Sequence, residues 1–271
     1  MSAEKWNSGD IPSREGRIAV IAGANSGLGL ETVRALAAKG AEVIAACRSV
    51  EKGRGAMDGI REELPDASIE VVELDLASLE SVRQFAAAYT DKNETLDLLI
   101  NNAGVMAILR AETADGFEMQ FGTNHLGHFA LTGLLHDRIV ATEDSRVVTV
   151  SSTAHTQGEM NLDDLMGEKS YGRWSAYCQS KLANMLFAYE LQRRLVSADA
   201  PTNSLAAHPG YAATNLQQVG TWWMTAAMSV TNVLFAQSAA MGALPSLYAA
   251  TSPDAIGGSY VGPRGMRGMR G

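Results

Sequence analysis

One seven-residue stretch, Gly23-Ala24-Asn25-Ser26-Gly27-Leu28-Gly29, limits what this chain can fold into. Residues 17–22 precede it and carry Ile18, Val20 and Ile21, the pattern of a buried strand. A helix is expected after it, running to about Lys39 and ending at Gly40, which suits a left-handed cap. Glycines at such a junction let the backbone turn sharply and approach a bound group closely. The helix N-terminus behind them offers unpaired N–H groups and the positive end of its dipole. The spacing, Gly-x-x-x-Gly-x-Gly, differs from the Gly-x-Gly-x-x-Gly dinucleotide fingerprint but keeps its physical logic. A plain tight loop is the alternative. The place between first strand and first helix favours a phosphate cradle.

The rest of the chain repeats the alternation. Residues 43–46, 69–74, 96–100, 146–150, 204–207 and 260–261 read as strands, and 51–64, 78–89, 116–135 and 174–197 as helices. Short strands that are apolar on both faces and alternate with helices imply a parallel sheet covered on both sides. The expected fold is α/β: a single-domain, Rossmann-like, doubly wound parallel sheet. Residues 14–150 would form mainly its dinucleotide-binding half and 151–271 its catalytic and substrate-lid half. A hydrophobic content of 46% supplies the core.

Charge and cysteine content remove several classes of function. A net charge of −8, from 22 basic and 30 acidic residues, argues against a nucleic-acid partner. Two cysteines, Cys47 and Cys178, make a disulfide framework or a cysteine metal site implausible. The first dozen residues lack the apolar core of a signal peptide, and no uncharged apolar run reaches the roughly 18 residues of a membrane span. A cytoplasmic protein without a membrane span is expected. Residues 200–253 contain no Asp, Glu, Lys or Arg, yet include Trp222, Trp223, Met224, Met228 and Phe235. This segment reads either as a buried helix plus a subunit interface or as an apolar lid over a substrate.

Chemistry concentrates in Tyr177-Cys178-Gln179-Ser180-Lys181, inside the helix expected over 174–197. Residues four apart share a helix face, so the Tyr177 phenol and the Lys181 ammonium point the same way. A nearby cation favours the phenolate and lowers the phenol pKa, which would make the pair an acid/base device. Alone, Tyr-x-x-x-Lys arises often by chance and reads far more readily as a merely structural pair. At the end of the second strand, Cys47-Arg48 offers no carboxylate to a ribose hydroxyl, whereas Arg48 suits a 2′-phosphate. That favours NADP(H) over NAD(H). His125, His128 and His155 have no carboxylate or cysteine at ligand spacing, so no metal is expected.

Taken in order, the Gly23/Gly27/Gly29 turn, Asp75, Asn101-Asn102-Ala103-Gly104, Asn124, Ser152, Tyr177/Lys181 and Pro209-Gly210 with Thr214 resemble the short-chain dehydrogenase/reductase family over nearly the whole chain. Cys47-Arg48, Thr123-Asn124-His125-Leu126-Gly127-His128-Phe129, Val150-Ser151-Ser152 with Ala154-His155, and the Tyr177 pentapeptide are similar to its retinol dehydrogenase-like branch, and to the protochlorophyllide reductase branch. One departure is Ala22, where the family usually has a threonine whose hydroxyl ties the turn down.

The resemblance implies roles. Tyr177 would pass a proton to or from the substrate oxygen, and Lys181 would hold the nicotinamide ribose. Ser152 would orient the substrate oxygen, and Asn124 would position a water linking Lys181 to solvent. Gly23, Asn25, Ser26, Gly27, Leu28 and Gly29 would cradle the cofactor phosphates, with Arg48 beside them. Asp75 and Leu76 would lie at the adenine, and Asn102, Ala103 and Gly104 along a ribose. Pro209, Gly210 and Thr214 would meet the nicotinamide end. Without the resemblance, Ser152 could cap a strand end, Asn124 could satisfy a bent helix, and Asp75 could cap the helix near Ser78.

The expected function is therefore interconversion of a carbonyl and an alcohol, with NADP(H), on a bulky apolar small molecule, by a homo-dimer or homo-tetramer. A non-catalytic NADP(H)-binding sensor is the first alternative; the intact Asn124/Ser152/Tyr177/Lys181 set argues against it. A double-bond reductase of the protochlorophyllide type ranks lower, because only 24 residues separate Ser152 from Tyr177 and those enzymes carry a longer insertion there.

Overall fold

The computed structural model describes residues 6–210 and 238–263. The chain runs β1 (Ile18–Ala22), α1 (Gly27–Ala37), β2 (Glu42–Cys47), α2 (Val50–Glu63), β3 (Ile69–Glu73), α3 (Leu79–Lys92) and β4 (Leu98–Asn101). It continues with α4 (Met119–Phe121), a π-helical turn (Gly122–Leu126), α5 (Gly127–Leu134), α6 (His136–Val140), β5 (Arg146–Val150), α7 (Arg173–Ser197), β6 (Asn203–Ala207), α8 (Ala239–Thr251) and β7 (Tyr260–Val261). The seven strands form one sheet in the order β3-β2-β1-β4-β5-β6-β7, and every neighbouring pair is parallel.

Strands β1, β2, β4, β5 and β6 are buried over most of their length while the edge strands β3 and β7 are only partly so, and alternate residues feed two cores. Ala19 and Ile21 of β1 join Val33 and Leu36 of α1, Met57 and Ile60 of α2, and Ala243 and Leu247 of α8. Val20 and Ala22 of the same strand face Val82 and Phe85 of α3 and Leu131 and Leu135 of the α5 region. Burying one such large side chain contributes about 2 kcal/mol, so the period-two pattern fixes the register firmly. Helix α7 covers the sheet near β6 through Met185 and Ala188 against Ala206.

Helix ends follow their local chemistry. Ser49 caps α2 by accepting from the Lys52 amide, Ser78 caps α3 by accepting from the Ser81 amide, and Ser238 caps α8 by accepting from the Met241 amide. Gly40 takes the left-handed conformation, with φ of 86°, just beyond α1.

One helix departs from its expected form. Residues 116–135 are not a single regular helix. Gly116 has φ of 82°, and the Glu118 carboxylate caps a later start by accepting from the Gln120 and Phe121 amides at 3.0 and 2.7 Å. The π-helical turn then widens the backbone at Gly122–Leu126. Such turns break the i to i+4 ladder and occur often at functional sites.

The charge-free stretch is divided. Its last part is helix α8, packed in the first core, as the buried-helix reading expected. Trp222, Trp223, Met224, Met228 and Phe235 lie outside the described residues, as does Thr214.

Candidate active site

The order β3-β2-β1-β4-β5 reverses direction between β1 and β4. In open parallel sheets this switch point leaves a crevice at the carboxyl ends of the strands. The glycine turn leaves β1 there, and Asn102 follows β4. Asn102 Nδ2 donates to the Ala22 and Gly23 carbonyls at 3.0 and 3.3 Å. The Gly23 and Ala24 amides both reach the Ala46 carbonyl of β2. These bonds supply the tether that Ala22 cannot. The turn is held from the neighbouring strands rather than by a hydroxyl at position 22.

Space at this junction admits only glycine at key points. A methyl group on Gly23 would stand 2.9 Å from Ala103, and one on Gly29 would overlap the Gly23 carbonyl oxygen. Gly23 and Gly27 both have positive φ, 73° and 56°. Ser26 sits at the N-cap of α1, but its side chain does not cap the helix. The first amides of α1 are thus left for an outside acceptor. A close-approach turn opening on such amides fits a dinucleotide's pyrophosphate. Leu28 is buried at the start of α1.

Two side chains mark the far end of the crevice. Arg48, just past β2, is exposed and forms no ion pair among the described residues. Asp75, just past β3, accepts from the Ala77 amide at 2.9 Å through Oδ1, while Ser78 caps α3. Leu76 is buried, and its backbone lies where any side chain on Gly127 would fall.

The polar set gathers at the carboxyl ends of β4 and β5. Ser152 lies two residues past the end of β5; its hydroxyl accepts from the Ala154 amide at 3.2 Å and acts to lower the pKa of the Tyr177 phenol. Asn124 belongs to the π-helical turn and is fully buried. Its Oδ1 accepts from the Val105 amide at 2.7 Å, and its Nδ2 donates to the Val105 carbonyl and to Ser180 Oγ, both at 2.9 Å. A methyl group on Gly104 would lie 3.0 Å from Asn124 Oδ1 and 3.6 Å from Lys181 Nζ. The loop after β4 therefore abuts both residues. Pro209 and Gly210 follow β6 at the same sheet edge, with Gly210 at φ of 68°.

The expected electrostatics of Tyr177 need correction. Tyr177 is 6% exposed, and burial pushes its phenol up to about 12, with the Ser152 hydrogen bond pulling the other way. The Lys181 ammonium does not touch the phenol oxygen's partner set; it donates to the Val150 carbonyl at 3.0 Å. Burial lowers the lysine itself to about 8. Desolvation outweighs ion pairing because both groups lie inside the protein, where the charged form of each is disfavoured.

Several supporting residues escaped the sequence reading. Ser180 and Asn184 share the inner face of α7; Asn184 Nδ2 donates to the Val150 carbonyl at 3.2 Å, beside Lys181. Ser151 Oγ donates to the Lys181 carbonyl at 2.8 Å. His125 Nδ1 meets Asn184 Oδ1 at 3.2 Å, His128 Nδ1 meets the Asn124 carbonyl at 3.0 Å, and His155 Nδ1 meets the Ser152 carbonyl at 2.6 Å. His128 and His155 are thus bound to the backbone of the polar residue they neighbour in sequence, while His125 reaches across to helix α7. A separate groove of about 700 Å³ runs between α5 and α7, lined by Phe129, Phe187 and Leu191 among others, and includes none of the predicted site residues.

A doubly wound parallel sheet, a glycine turn at its switch point and a half-buried Ser152 with buried Tyr177, Lys181 and Asn124 define a nucleotide-dependent oxidoreductase class. Residues 17–223 match the short chain dehydrogenase family, and the chain belongs to it. Its sequence is retinol dehydrogenase-like. It is 42% identical over 262 residues to human retinol dehydrogenase 13, covering 93% of this chain and 78% of that protein. It is 48% identical over 195 residues to human retinol dehydrogenase 12, covering 72% of this chain and 61% of that one. Among solved structures, an uncharacterized protein from Mycobacterium Paratuberculosis superposes with a TM-score of 0.81 at 49% identity, over 99% of this chain and 87% of that one. The active-site complex of Pseudomonas aeruginosa RhlG with NADP shares the fold, with a TM-score of 0.72 at 21% identity, over 92% and 95% of the two chains.

Proposed function

We propose that this protein is an NADP(H)-dependent oxidoreductase that interconverts a bulky, apolar aldehyde or ketone and the corresponding alcohol. The carrying observation is that buried Tyr177, Lys181 and Asn124 gather at the sheet's carboxyl edge, Lys181 Nζ 5.8 Å from the Tyr177 ring and both Lys181 and Asn124 against Gly104. The nicotinamide cofactor supplies or accepts the hydride when bound. Gly23, Asn25, Ser26, Gly27, Leu28 and Gly29 hold its phosphates, and Arg48 pairs with the 2′-phosphate. Asp75 and Leu76 lie at the adenine, Asn102 to Gly104 along the ribose, and Pro209 and Gly210 at the nicotinamide end; Thr214, outside the described residues, is assigned to the nicotinamide by the resemblance alone.

Ser152 orients the substrate oxygen by hydrogen bonding. Tyr177, kept protonated by its burial, donates its proton to that oxygen during reduction and removes it during oxidation. Lys181 holds the nicotinamide ribose, and Asn124 positions a water that connects Lys181 to solvent.

The retinol dehydrogenase relatives support a large apolar substrate. The wider proposal places 14–150 as the cofactor-binding half and 151–271 as the catalytic and lid half. It also includes a homo-dimer or homo-tetramer, supported by Phe129, Leu134, Leu186 and Tyr189 exposed on α5 and α7. A cytoplasmic setting agrees with two free, buried cysteines. No helix among the described residues is long and apolar enough to cross a membrane. The test is a screen of apolar aldehydes and ketones with NADPH against NADH, read at the nicotinamide absorbance. Turnover with NADPH is expected; NADPH binding without turnover of any carbonyl would overturn the reading.

A further inference from the structure

We infer that Asn101, Thr149 and His128 together bind one buried water molecule beneath α5, and that this water makes His128 a positioning residue for Asn124. The three side chains are 0%, 0% and 1% exposed. Each carries one polar atom with no partner among the described residues: Asn101 Oδ1, Thr149 Oγ1 and His128 Nε2. Buried polar groups left unpaired are costly, and native interiors seldom tolerate three in one place.

Topology brings the three together. Asn101 and Thr149 are register partners on adjacent strands β4 and β5. Their side chains therefore point to the same sheet face. Asn101 Nδ2 donates to Thr132 Oγ1 of α5 at 3.0 Å. Thr132 lies one helical turn beyond His128 on the same face, and its hydroxyl donates to the His128 carbonyl at 2.8 Å.

The hydrogen-bond network also fixes what each free atom can do. Thr132 has spent its one proton on the His128 carbonyl, so it accepts from Asn101. The Asn101 amide orientation follows, and Oδ1 is left as a pure acceptor. His128 Nδ1 lies 3.0 Å from the Asn124 carbonyl, which can only accept. Nδ1 therefore carries the proton, and Nε2 is a bare acceptor. The site holds two acceptors and one hydroxyl. No arrangement of protein groups satisfies both acceptors, since the hydroxyl has a single proton. One water does so: it donates to Asn101 Oδ1 and to His128 Nε2, and accepts from the Thr149 hydroxyl. Three partners are the usual number for a buried water.

The water has a consequence at the candidate active site. By donating to Nε2 it holds His128 in the tautomer whose Nδ1–H grips the Asn124 carbonyl. His128 does not act on substrate; it fixes the π-helical turn that presents Asn124. This consequence rests on the proposed function, whereas the water itself does not.

Thr149→Val tests it, since it removes the hydroxyl while keeping the shape. If the site is dry, the valine replaces an unpaired hydroxyl, and the melting temperature stays level or rises. If the water is held, its loss strands two acceptors, and the melting temperature falls by roughly 5 °C. Thr149→Ser keeps the hydroxyl and should retain most of the wild-type value. A high-resolution crystal structure of the full chain should show one water within about 3.2 Å of all three atoms. Empty density there, or a Thr149→Val protein as stable as wild type, overturns the inference. With an active carbonyl substrate in hand, Thr149→Val should lower kcat severalfold with KM unchanged, and Thr149→Ser should restore it. Absence of any carbonyl turnover in the wild type would fail the proposed function while leaving the melting and density tests intact.

Discussion

Lys181 Nζ stands 5.8 Å from the centre of the Tyr177 ring, one turn along the same helix, and donates to the Val150 carbonyl of β5 at 3.0 Å. The ammonium is thus tied to the sheet rather than to the phenol. Helix α7 and strand β5 are locked to one another by this lysine, by Asn184 and by Ser151. The two reactive groups are not bonded to one another, so each can be removed separately.

Tyr177→Phe should lower turnover about a thousandfold, the scale of a lost general acid. Nucleotide affinity should change little, because the glycine turn and Lys181 remain. Steady-state rates paired with a fluorescence titration of NADPH check this. Near-normal turnover would remove Tyr177 from the chemistry.

Gly29→Ala should destabilise the protein by about 1–3 kcal/mol and weaken nucleotide binding, because the added methyl overlaps the Gly23 carbonyl oxygen. Backbone, not a flexible side chain, has to give way. Thermal unfolding and the same titration measure both effects. An unchanged melting temperature would show that the turn is looser than its packing indicates.

Arg48→Ala should raise the KM for NADPH at least about tenfold and leave that for NADH nearly unchanged. A charge-assisted bond to a phosphate is worth roughly 1.5–3 kcal/mol. Equal effects on the two nucleotides would mean that Arg48 does not read the 2′-phosphate.

Acid should unfold the protein earlier than its net charge alone suggests. Burial lowers His128 from 6.5 to about 3, and His208 from 6.5 to about 4 with help from His155. Between those values and 6.5 the unfolded chain binds protons that the folded chain does not. Stability therefore rises with pH and is lost as pH falls below 6.5. His128 alone should contribute about 2 kcal/mol of loss by pH 5. Melting temperatures measured from pH 8 to pH 5 should decline, and His128→Gln should flatten the slope. A parallel decline in the variant would assign the acid sensitivity elsewhere.

Much of this architecture was legible in the residues. The strand–glycine turn–helix junction, the alternation that makes a parallel sheet, and the helix around Tyr177 depend on local patterns of polarity and backbone freedom. Chain order and spacing then placed Asn124, Ser152, Tyr177 and Lys181 in one family frame. Residues 116–135 are mostly helical, as expected, but the late start capped by Glu118 and the π-helical turn are features that hydrophobic spacing does not reveal.

Sequence by itself determined the fold class, because apolar periodicity and glycine placement act over a few neighbouring residues; the candidate polar set came from the resemblance to a family. Tertiary structure alone decided what those groups feel. Burial pushes the Tyr177 phenol pKa up; Asn102 ties the glycine turn down by reaching across from β4; and Asn101 reaches Thr132, one turn from His128, only because β4 and α5 pack together. Desolvation and hydrogen bonding depend on neighbours that are distant along the chain, and only folding brings them into contact.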